Sequence, residues 1–259
     1  VPCGALMKFS VIIPSYNQPS YIEATLQSIS AVKSVAEKMG HQVEVLLFDS
    51  ASPEPMPEIL QKHKLLFDVL EIKKDAGQYE AINKGIKKCT GQYWTWLNTD
   101  DTFDVDGISR VMQYLAQHPS TDYCYGSIDY IDEQGKVFRS FPAYPINYTT
   151  LVTHTPGIFQ QGSFFRKEFT DGLGLLKTYN CCFDYEYVLR CLKHKALVKV
   201  FDFKVANFRQ HTISKTGSLT PTFIREQLEI SKDYGRKPWH YLSWFSRLRL
   251  LKHSLFPRT

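Results

Sequence analysis

The sequence predicts an α/β fold in which a mainly parallel sheet, covered by helices, is followed by a mixed second half. Up to residue 120, short apolar runs that suit buried strands alternate with segments of helical periodicity. Beyond that point the alternation stops, and the runs at 123–130 and 136–141, separated by DEQG, are typical of a hairpin.

Each element is predicted from a local pattern. Apolar runs that end at polar residues or proline predict strands at 9–13, 43–48, 69–72 and 92–97. Helical spacing predicts helices at 22–36, 57–64, 79–89 and 105–117. Ser20 and Glu23 are spaced as a capping box for the first helix. The second half adds runs at 160–166 and 197–203 and a helix at 183–194.

Polar residues follow the predicted parallel strands where each strand ends. Because ligands of such sheets bind beyond the carboxyl ends of the strands, these residues are expected to share one edge of the sheet. They are Ser15, Tyr16, Asn17, Asp49, Asp75, Asp100 and Asp101.

The composition is that of an ordinary globular protein. The chain has 259 residues, 43% of them hydrophobic and 22% charged, which excludes a disordered tail, a collagen-like repeat and a bundle of membrane spans. The six cysteines form no CxxC pair, a pattern that favours a reduced, intracellular protein. With no predicted span and no signal-peptide pattern, the expected location is the cytoplasm.

The positive charge is concentrated at the end of the chain. Residues 236–259 carry six basic and no acidic residues, so the remainder carries 5 − 6 = −1 of the net charge of +5. This distribution argues against a nucleic-acid partner and predicts a peripheral membrane contact through a helix at about 241–255, at the inner face of the cell membrane. A helix that packs on the catalytic domain or in a homodimer is the alternative.

Asp100 and Asp101 form a pair of adjacent carboxylates directly after a predicted buried strand. Their mutual repulsion is relieved by a cation, and carboxylate oxygens together with a diphosphate suit Mg²⁺ or Mn²⁺. The alternative is that one of the two caps the helix that begins near Val105.

Seven segments give the chain a resemblance to the inverting nucleotide-sugar glycosyltransferases of family 2. In family order they are VIIPSYN (11–17), DAGQYEAINKG (75–85), WLNTDD (96–101), YG (125–126), QGSFFR (161–166), FDYEYVLR (183–190) and RQHTISKT (209–216). The resemblance implies a GT-A fold at 1–217, with a Rossmann-like nucleotide-binding half at about 8–120 and a mixed-sheet acceptor half at about 121–217. Residues 218–259 would be a helical C-terminal extension.

The resemblance also implies a function, a metal-dependent inverting transfer of a sugar from a UDP- or dTDP-sugar to an acceptor hydroxyl. The acceptor would be a carbohydrate or a lipid-linked molecule, as in bacterial cell-surface polysaccharide or glycolipid synthesis. Two alternatives stay open, a sugar nucleotidyltransferase and a non-catalytic subunit that binds nucleotide sugars.

Three groups of site residues are implied by the matching segments. Donor contacts are expected from Pro14, Ser15, Tyr16, Asn17, Asp49, Asp75, Gly77, Gln78, Asn83, Lys84, Asp100 and Lys215, with Tyr16 against the base and Asp49 at its edge. Asp101 and His211 are the expected ligands of Mn²⁺ or Mg²⁺. Asp184 is the expected general base, because inverting transfer needs one acceptor-side carboxylate and no covalent nucleophile. Glu186 is expected to be structural, paired with Arg190.

Overall fold

A computed structural model of the chain describes residues 6–154, 159–211, 220–237 and 240. These residues pack as two compact units. Unit 1 contains Val1–Tyr144, Phe159–Leu175 and Ala196–Gln210, and unit 2 contains Pro145–Ile158, Leu176–Lys195 and His211–Thr259. The predicted domain boundary between residues 217 and 218 stays a prediction.

Unit 1 contains one mixed sheet, which has nine strands in the part of the chain that the structure describes. The strands are β1 (Lys8–Ser15), β2 (Gln42–Asp49), β3 (Val69–Ile72), β4 (Tyr93–Trp96), β5 (Thr102–Phe103), β6 (Tyr123–Ile131), β7 (Val137–Phe141), β8 (Ser163–Arg166) and β9 (Val198–Arg209). Their order in the sheet is β3-β2-β1-β4-β8-β6-β9-β5, and β7 pairs with β6. The predicted parallel part and the predicted hairpin are both present.

The helices divide between the two units. Unit 1 contains α1 (Ile22–Lys38), α2 (Met56–Lys62), α3 (Gln78–Lys88), α4 (Val105–Gln117) and α6 (Lys167–Asp171). Unit 2 contains α5 (Tyr148–His154), α7 (Phe183–Lys193) and α8 (Thr220–Asp233). Strand β5 and helices α5 and α6 are short, and the sequence did not predict them, whereas α8 lies in the predicted helical C-terminal extension.

Strands β1 and β2 form the centre of the parallel part. Both are buried from their second residue to their last, as strands covered by helices on both faces must be. The register places Ser15 opposite Asp49, so the two carboxyl ends finish level. This alignment confirms the predicted common edge at these two strands.

Two predicted helix caps differ from the structure. No side chain caps the start of α1, so the capping box of Ser20 and Glu23 is wrong, and Glu23 instead pairs with Lys62 at 3.0 Å and His63 at 2.8 Å. The side-chain nitrogens of Lys62, in α2, and of His63, directly after it, bind the Glu23 carboxylate in place of the Ser20 backbone N–H that a capping box would use. At α4 the cap is Asp104, whose carboxylate accepts the Gly107 N–H at 2.9 Å. Neither Asp100 nor Asp101 is needed for that role.

Unit 2 is held together around a buried carboxylate. Glu186 in α7 is fully buried, and it contacts Arg190, Lys177 at 3.1 Å and the Tyr234 hydroxyl at 2.5 Å. The predicted pair of Glu186 and Arg190 is therefore confirmed. These contacts lower the pKa of Glu186 against the effect of its burial, the largest influence, which raises it.

The predicted C-terminal extension, 218–259, contains the helix α8. Arg236, one of the six basic residues, is buried and donates to the Ser231 hydroxyl at 3.1 Å. The helix predicted at 241–255 lies outside the described residues. None of the described helices combines the length and the apolar character that a membrane crossing requires.

Gly107 allows α4 to lie against β9. A Cβ at this position would lie 1.9 Å from the Lys204 carbonyl oxygen, so Gly107→Ala should force the helix off the strand. We expect the free energy of unfolding to fall by about 1–3 kcal/mol, measured by urea denaturation. Gly172→Ala is the control, because its Cβ meets nothing closer than 3.5 Å. Equal stability of the two variants would contradict this packing.

Candidate active site

The carboxyl ends of β1 and β2 are joined by the Asp49 carboxylate. Asp49 is 1% exposed and accepts hydrogen bonds from the Ser15 hydroxyl, the Ser52 hydroxyl and the Ser52 N–H, each at 2.7 Å. The Ser52 hydroxyl accepts the Asn17 N–H at 2.8 Å. Ser52, which sequence reasoning missed, thus connects the two loops, and the two serines that follow Asp49 in the sequence, Ser50 and Ser52, were the available signal.

Tyr16 presents its ring at this edge. The residue is 62% exposed, although Pro14 and Ser15 before it are buried in β1. Its neighbour Asn17 has a φ of 47°, a left-handed conformation that turns the chain away from the strand. An exposed aromatic ring on a fixed turn provides a flat apolar surface for a planar group.

The loop between β3 and α3 reaches the same edge. The Asp75 N–H donates to the Ser50 hydroxyl at 3.1 Å, and the Asp75 carboxylate accepts the Gly77 N–H at 3.0 Å. Gly77 has a φ of 136°, which side chains strongly disfavour, and it starts α3. The Gln78 side chain donates to the Asn98 side chain at 2.6 Å, joining this loop to the one after β4.

Asn83 and Lys84 lie further along α3, and both are half-buried. The Lys84 ammonium pairs with Glu71 at 3.3 Å and lies 4.0 Å from Glu80. Both carboxylates hold this cation on the surface of unit 1.

Asp101 is fully buried, and its carboxylate accepts three hydrogen bonds. The donors are the Arg209 N–H at 3.0 Å, the Asn98 amide at 3.1 Å and the Gln161 amide at 3.0 Å. Burial and the neighbouring charge of Asp100 raise the pKa of Asp101 well above its usual range, although the three donors lower it. Asp101 therefore acts as an internal acceptor for three separate segments.

Asp100 is the more accessible of the two carboxylates. The residue is half-buried, and its main-chain carbonyl accepts the Arg209 Nε–H at 3.0 Å. Arg209 is itself buried and donates from Nη1 to the carbonyls of Asp132 at 2.9 Å and Glu133 at 3.2 Å. Arg209, Gln161 and Asn98 were not among the predicted site residues, although each lies in a segment that carries the family resemblance.

These residues fit a divalent ion that takes few protein ligands. Within the described ranges, no three His, Cys, Asp or Glu side chains form a metal-binding group. Mg²⁺ is commonly bound by one or two carboxylates together with substrate phosphates and water. Asp100 is half-buried and Asp101 is fully buried, so Asp100 is the more accessible carboxylate, and the predicted metal-ligand role of Asp101 stays a prediction.

Asp184 lies in unit 2, in the first turn of α7. It is half-buried, and its carboxylate accepts the N–H of Tyr185 at 2.7 Å. Burial is the main cause that raises the pKa of Asp184 to about 6, against the opposing effect of the backbone N–H. A carboxylate with this pKa is ionised at neutral pH and has a higher proton affinity than an exposed aspartate, which suits a general base.

Two further predicted site residues remain, His211 and Lys215. His211 is buried and belongs to unit 2. Lys215 lies outside the described residues. A groove of about 620 Å³ in unit 1, lined in part by Arg110, Tyr114 and Phe203, includes none of the predicted site residues.

The chain is similar in sequence and in fold to known glycosyltransferases. A "PGL/p-HBAD biosynthesis glycosyltransferase" of Mycobacterium tuberculosis is 25% identical over 228 residues, 85% of this chain and 81% of that protein. The crystal structure of Staphylococcus aureus TarS residues 1–349 with UDP-GlcNAc superposes with a TM-score of 0.67 at 14% identity, covering 96% of this chain and 73% of that one. The mannosyltransferase PcManGT of Pyrobaculum calidifontis, solved with GDP-Man and Mn²⁺, gives 0.61 at 17% identity, covering 88% and 64%.

The structural likenesses confirm the predicted α/β fold of the GT-A type. Residues 10–174 match the sequence family described as "Glycosyl transferase family 2". The match includes the edge residues from Tyr16 to Asp101 and ends before Asp184. Because it covers more than half of the chain, the protein belongs to glycosyl transferase family 2.

Proposed function

We propose that this protein transfers a sugar from a UDP- or dTDP-sugar to an acceptor hydroxyl, with inversion at the anomeric carbon. The observation that carries the proposal is Asp184, a half-buried carboxylate whose pKa is raised to about 6 in a member of a glycosyltransferase family. Inverting transfer needs one such base and no covalent nucleophile.

The donor site is proposed at the common edge of β1, β2 and β4. The exposed Tyr16 ring would stack on the base, and Asp49 would accept the imide N–H of uracil or thymine. Pro14, Ser15 and Asn17 would form the wall of the base pocket, and Asp75, Gly77, Gln78, Asn83 and Lys84 would contact the rest of the donor. Binding of UDP-GlcNAc by TarS and of GDP-Man by PcManGT supports a nucleotide-sugar donor.

We propose Asp100 as the carboxylate that holds Mn²⁺ or Mg²⁺ at the diphosphate, with His211 as a second protein ligand. Asp101 would support Asp100 from inside the protein. The Mn²⁺ in PcManGT supports a divalent ion, which would compensate the negative charge that develops on the leaving diphosphate. Lys84 and Lys215 would add positive charge to the same group.

The reaction would be a single displacement. The Asp184 carboxylate accepts the proton of the acceptor hydroxyl while the acceptor oxygen forms a bond to the anomeric carbon. The bond from that carbon to the diphosphate oxygen breaks at the same time, and the nucleoside diphosphate leaves with the electron pair. Burial keeps the base poorly solvated, so its proton affinity is high at the moment of attack.

Specific residues distinguish the proposed sugar transfer from two alternative functions. A sugar nucleotidyltransferase needs a glycine-rich basic loop after its first strand, whereas residues 15–19 read SYNQP. A non-catalytic binding subunit would not need Asp184, and the second experiment below tests that case.

Asp100 and Asp101 should respond differently to the same substitution. Asp101→Asn should lower the free energy of unfolding by about 1–3 kcal/mol, because an amide nitrogen would face at least one donor of the three. Asp100→Asn should leave stability almost unchanged and weaken Mn²⁺-dependent UDP binding in calorimetry. The reverse assignment, with binding lost only in Asp101→Asn and no loss of stability, would contradict the proposed roles.

Asp184→Asn should lower kcat by about 10²–10⁴-fold and leave donor binding intact, as removal of a general base does. The measurement is release of UDP or dTDP from a panel of nucleotide sugars with candidate acceptors. In the unsubstituted protein kcat/KM should rise with pH through about 6, because only the ionised Asp184 accepts a proton. Full turnover by the variant would exclude Asp184 as the base.

We further propose that residues 236–259 bring the protein to an anionic membrane at the inner face of the cell, where a lipid-linked acceptor would lie. Flotation should recover the full chain with anionic liposomes at low salt and not with neutral ones, since each cation near the surface adds about 1 kcal/mol. A chain that ends at residue 237 keeps the buried Arg236 and is the control. Failure of both chains to float would favour a packing or homodimer role for this segment and a carbohydrate acceptor.

A further inference from the structure

Helix α8 lies beyond the part of the chain that matches the family, and it supplies a buried carboxylate to the segment before α7. Glu226 is 8% exposed. Its Oε1 accepts the Asn180 N–H at 2.7 Å, and its Oε2 accepts the N–H groups of Cys181 at 2.9 Å and Cys182 at 3.0 Å. One side chain thus binds three consecutive backbone donors.

These donors lie where α7 begins. Cys182 is the residue that precedes the first turn, and its thiol points to the Phe223 carbonyl of α8, 3.6 Å away, rather than capping its own helix. The first N–H groups of a helix have no partner inside that helix, and an anion beside them is stabilising. Of the three donors, the Cys182 N–H belongs to the start of α7, and those of Asn180 and Cys181 lie in the segment before it, so Glu226 holds the backbone that leads into the helix.

A second contact holds the other side of the same turn. The hydroxyl of Tyr234, the residue directly after α8, donates to Glu186. Asp184 lies between the two attachment points, two residues after Cys182 and two residues before Glu186. The backbone that carries Asp184 is thereby held on both sides by α8 and the residue that follows it.

The charge of Glu226 also acts on Asp184. It raises the pKa of Asp184, in addition to the larger effect of burial. Other titratable groups near this turn include Tyr179, Cys181 and the Cys182 thiol before it, the Tyr185 hydroxyl, which donates to the Leu151 carbonyl of α5, and Arg236 after α8. Helix α5 contributes two more titratable residues, Tyr148 and His154.

We propose that Glu226 is a positioning residue for the catalytic base, which holds the Asn180–Cys182 backbone and so sets the place of Asp184. This inference rests on the proposed role of Asp184. It adds a residue that does not touch the substrate and that lies outside the family match.

The test compares Glu226→Gln with Glu229→Gln, a control in the same helix whose side chain is exposed. Glu226→Gln removes the charge and turns an amide nitrogen toward a backbone donor. We expect kcat to fall about 10- to 100-fold with the donor KM unchanged, as for a displaced catalytic group. The acidic limb of the pH profile should move to lower pH by about 0.5–1 unit, because a negative charge near Asp184 is lost. Glu229→Gln should change neither quantity.

A titration of the Asp184 carboxyl by ¹³C NMR gives a readout that does not depend on turnover. Its midpoint should be lower in Glu226→Gln than in the unsubstituted protein. An unchanged midpoint together with unchanged kcat overturns the inference while the proposed function stands, provided that Asp184→Asn is inactive. Full activity of Asp184→Asn would instead overturn the proposed function.

Glu226→Asp covers the case in which Glu226→Gln does not fold. It keeps the charge and shortens the side chain by one methylene, so kcat should fall while the acidic limb stays in place. If Glu226→Gln does not fold and Glu226→Asp has an unchanged kcat, the inference is overturned.

Discussion

Unit 1 depends on one buried carboxylate, that of Asp101. It accepts donors from Asn98 beside it, from Gln161 before β8 and from the Arg209 backbone in β9, while its own carbonyl accepts the Thr25 hydroxyl of α1 at 2.7 Å. A buried carboxylate is costly unless such donors satisfy it, and the donors from the buried residues Arg209 and Gln161 would lose this acceptor without it. Because the Asp101 carboxylate and its donors need each other, the loop after β4 is fixed, and with it the position of Asp100.

The same principle recurs within each unit. Asp49 fixes the loops after β1 and β2 through Ser15 and Ser52, and Glu226 fixes the backbone before α7. In each case a carboxylate inside the protein holds the main chain and a neighbouring side chain is proposed to meet the substrate, and Asp49 is proposed to do both. Tyr16, Asp100 and Asp184 are those neighbours in the proposed mechanism.

The sequence predicted the parallel strands, the hairpin and helix α4 well, because buried apolar runs and the 3.6-residue period are local signals. It could not predict that Asp101 lies inside and Asp100 outside, since adjacent carboxylates are equivalent until Arg209, more than a hundred residues later, supplies its N–H. Glu226 was missed for the same reason. Its function depends on backbone groups 44 to 46 residues earlier, and nothing in the local pattern of α8 distinguishes it from Glu229.

The central claim is inverting transfer, and the configuration of the first-formed product tests it most directly. Time-resolved ¹H NMR can follow the anomeric proton when an α-linked nucleotide sugar is turned over in the presence of acceptor, or of water alone. We expect the β-configured product to form first, with Mn²⁺ or Mg²⁺ present. An α-configured first product, or no turnover of any UDP- or dTDP-sugar, would contradict inverting transfer by this protein.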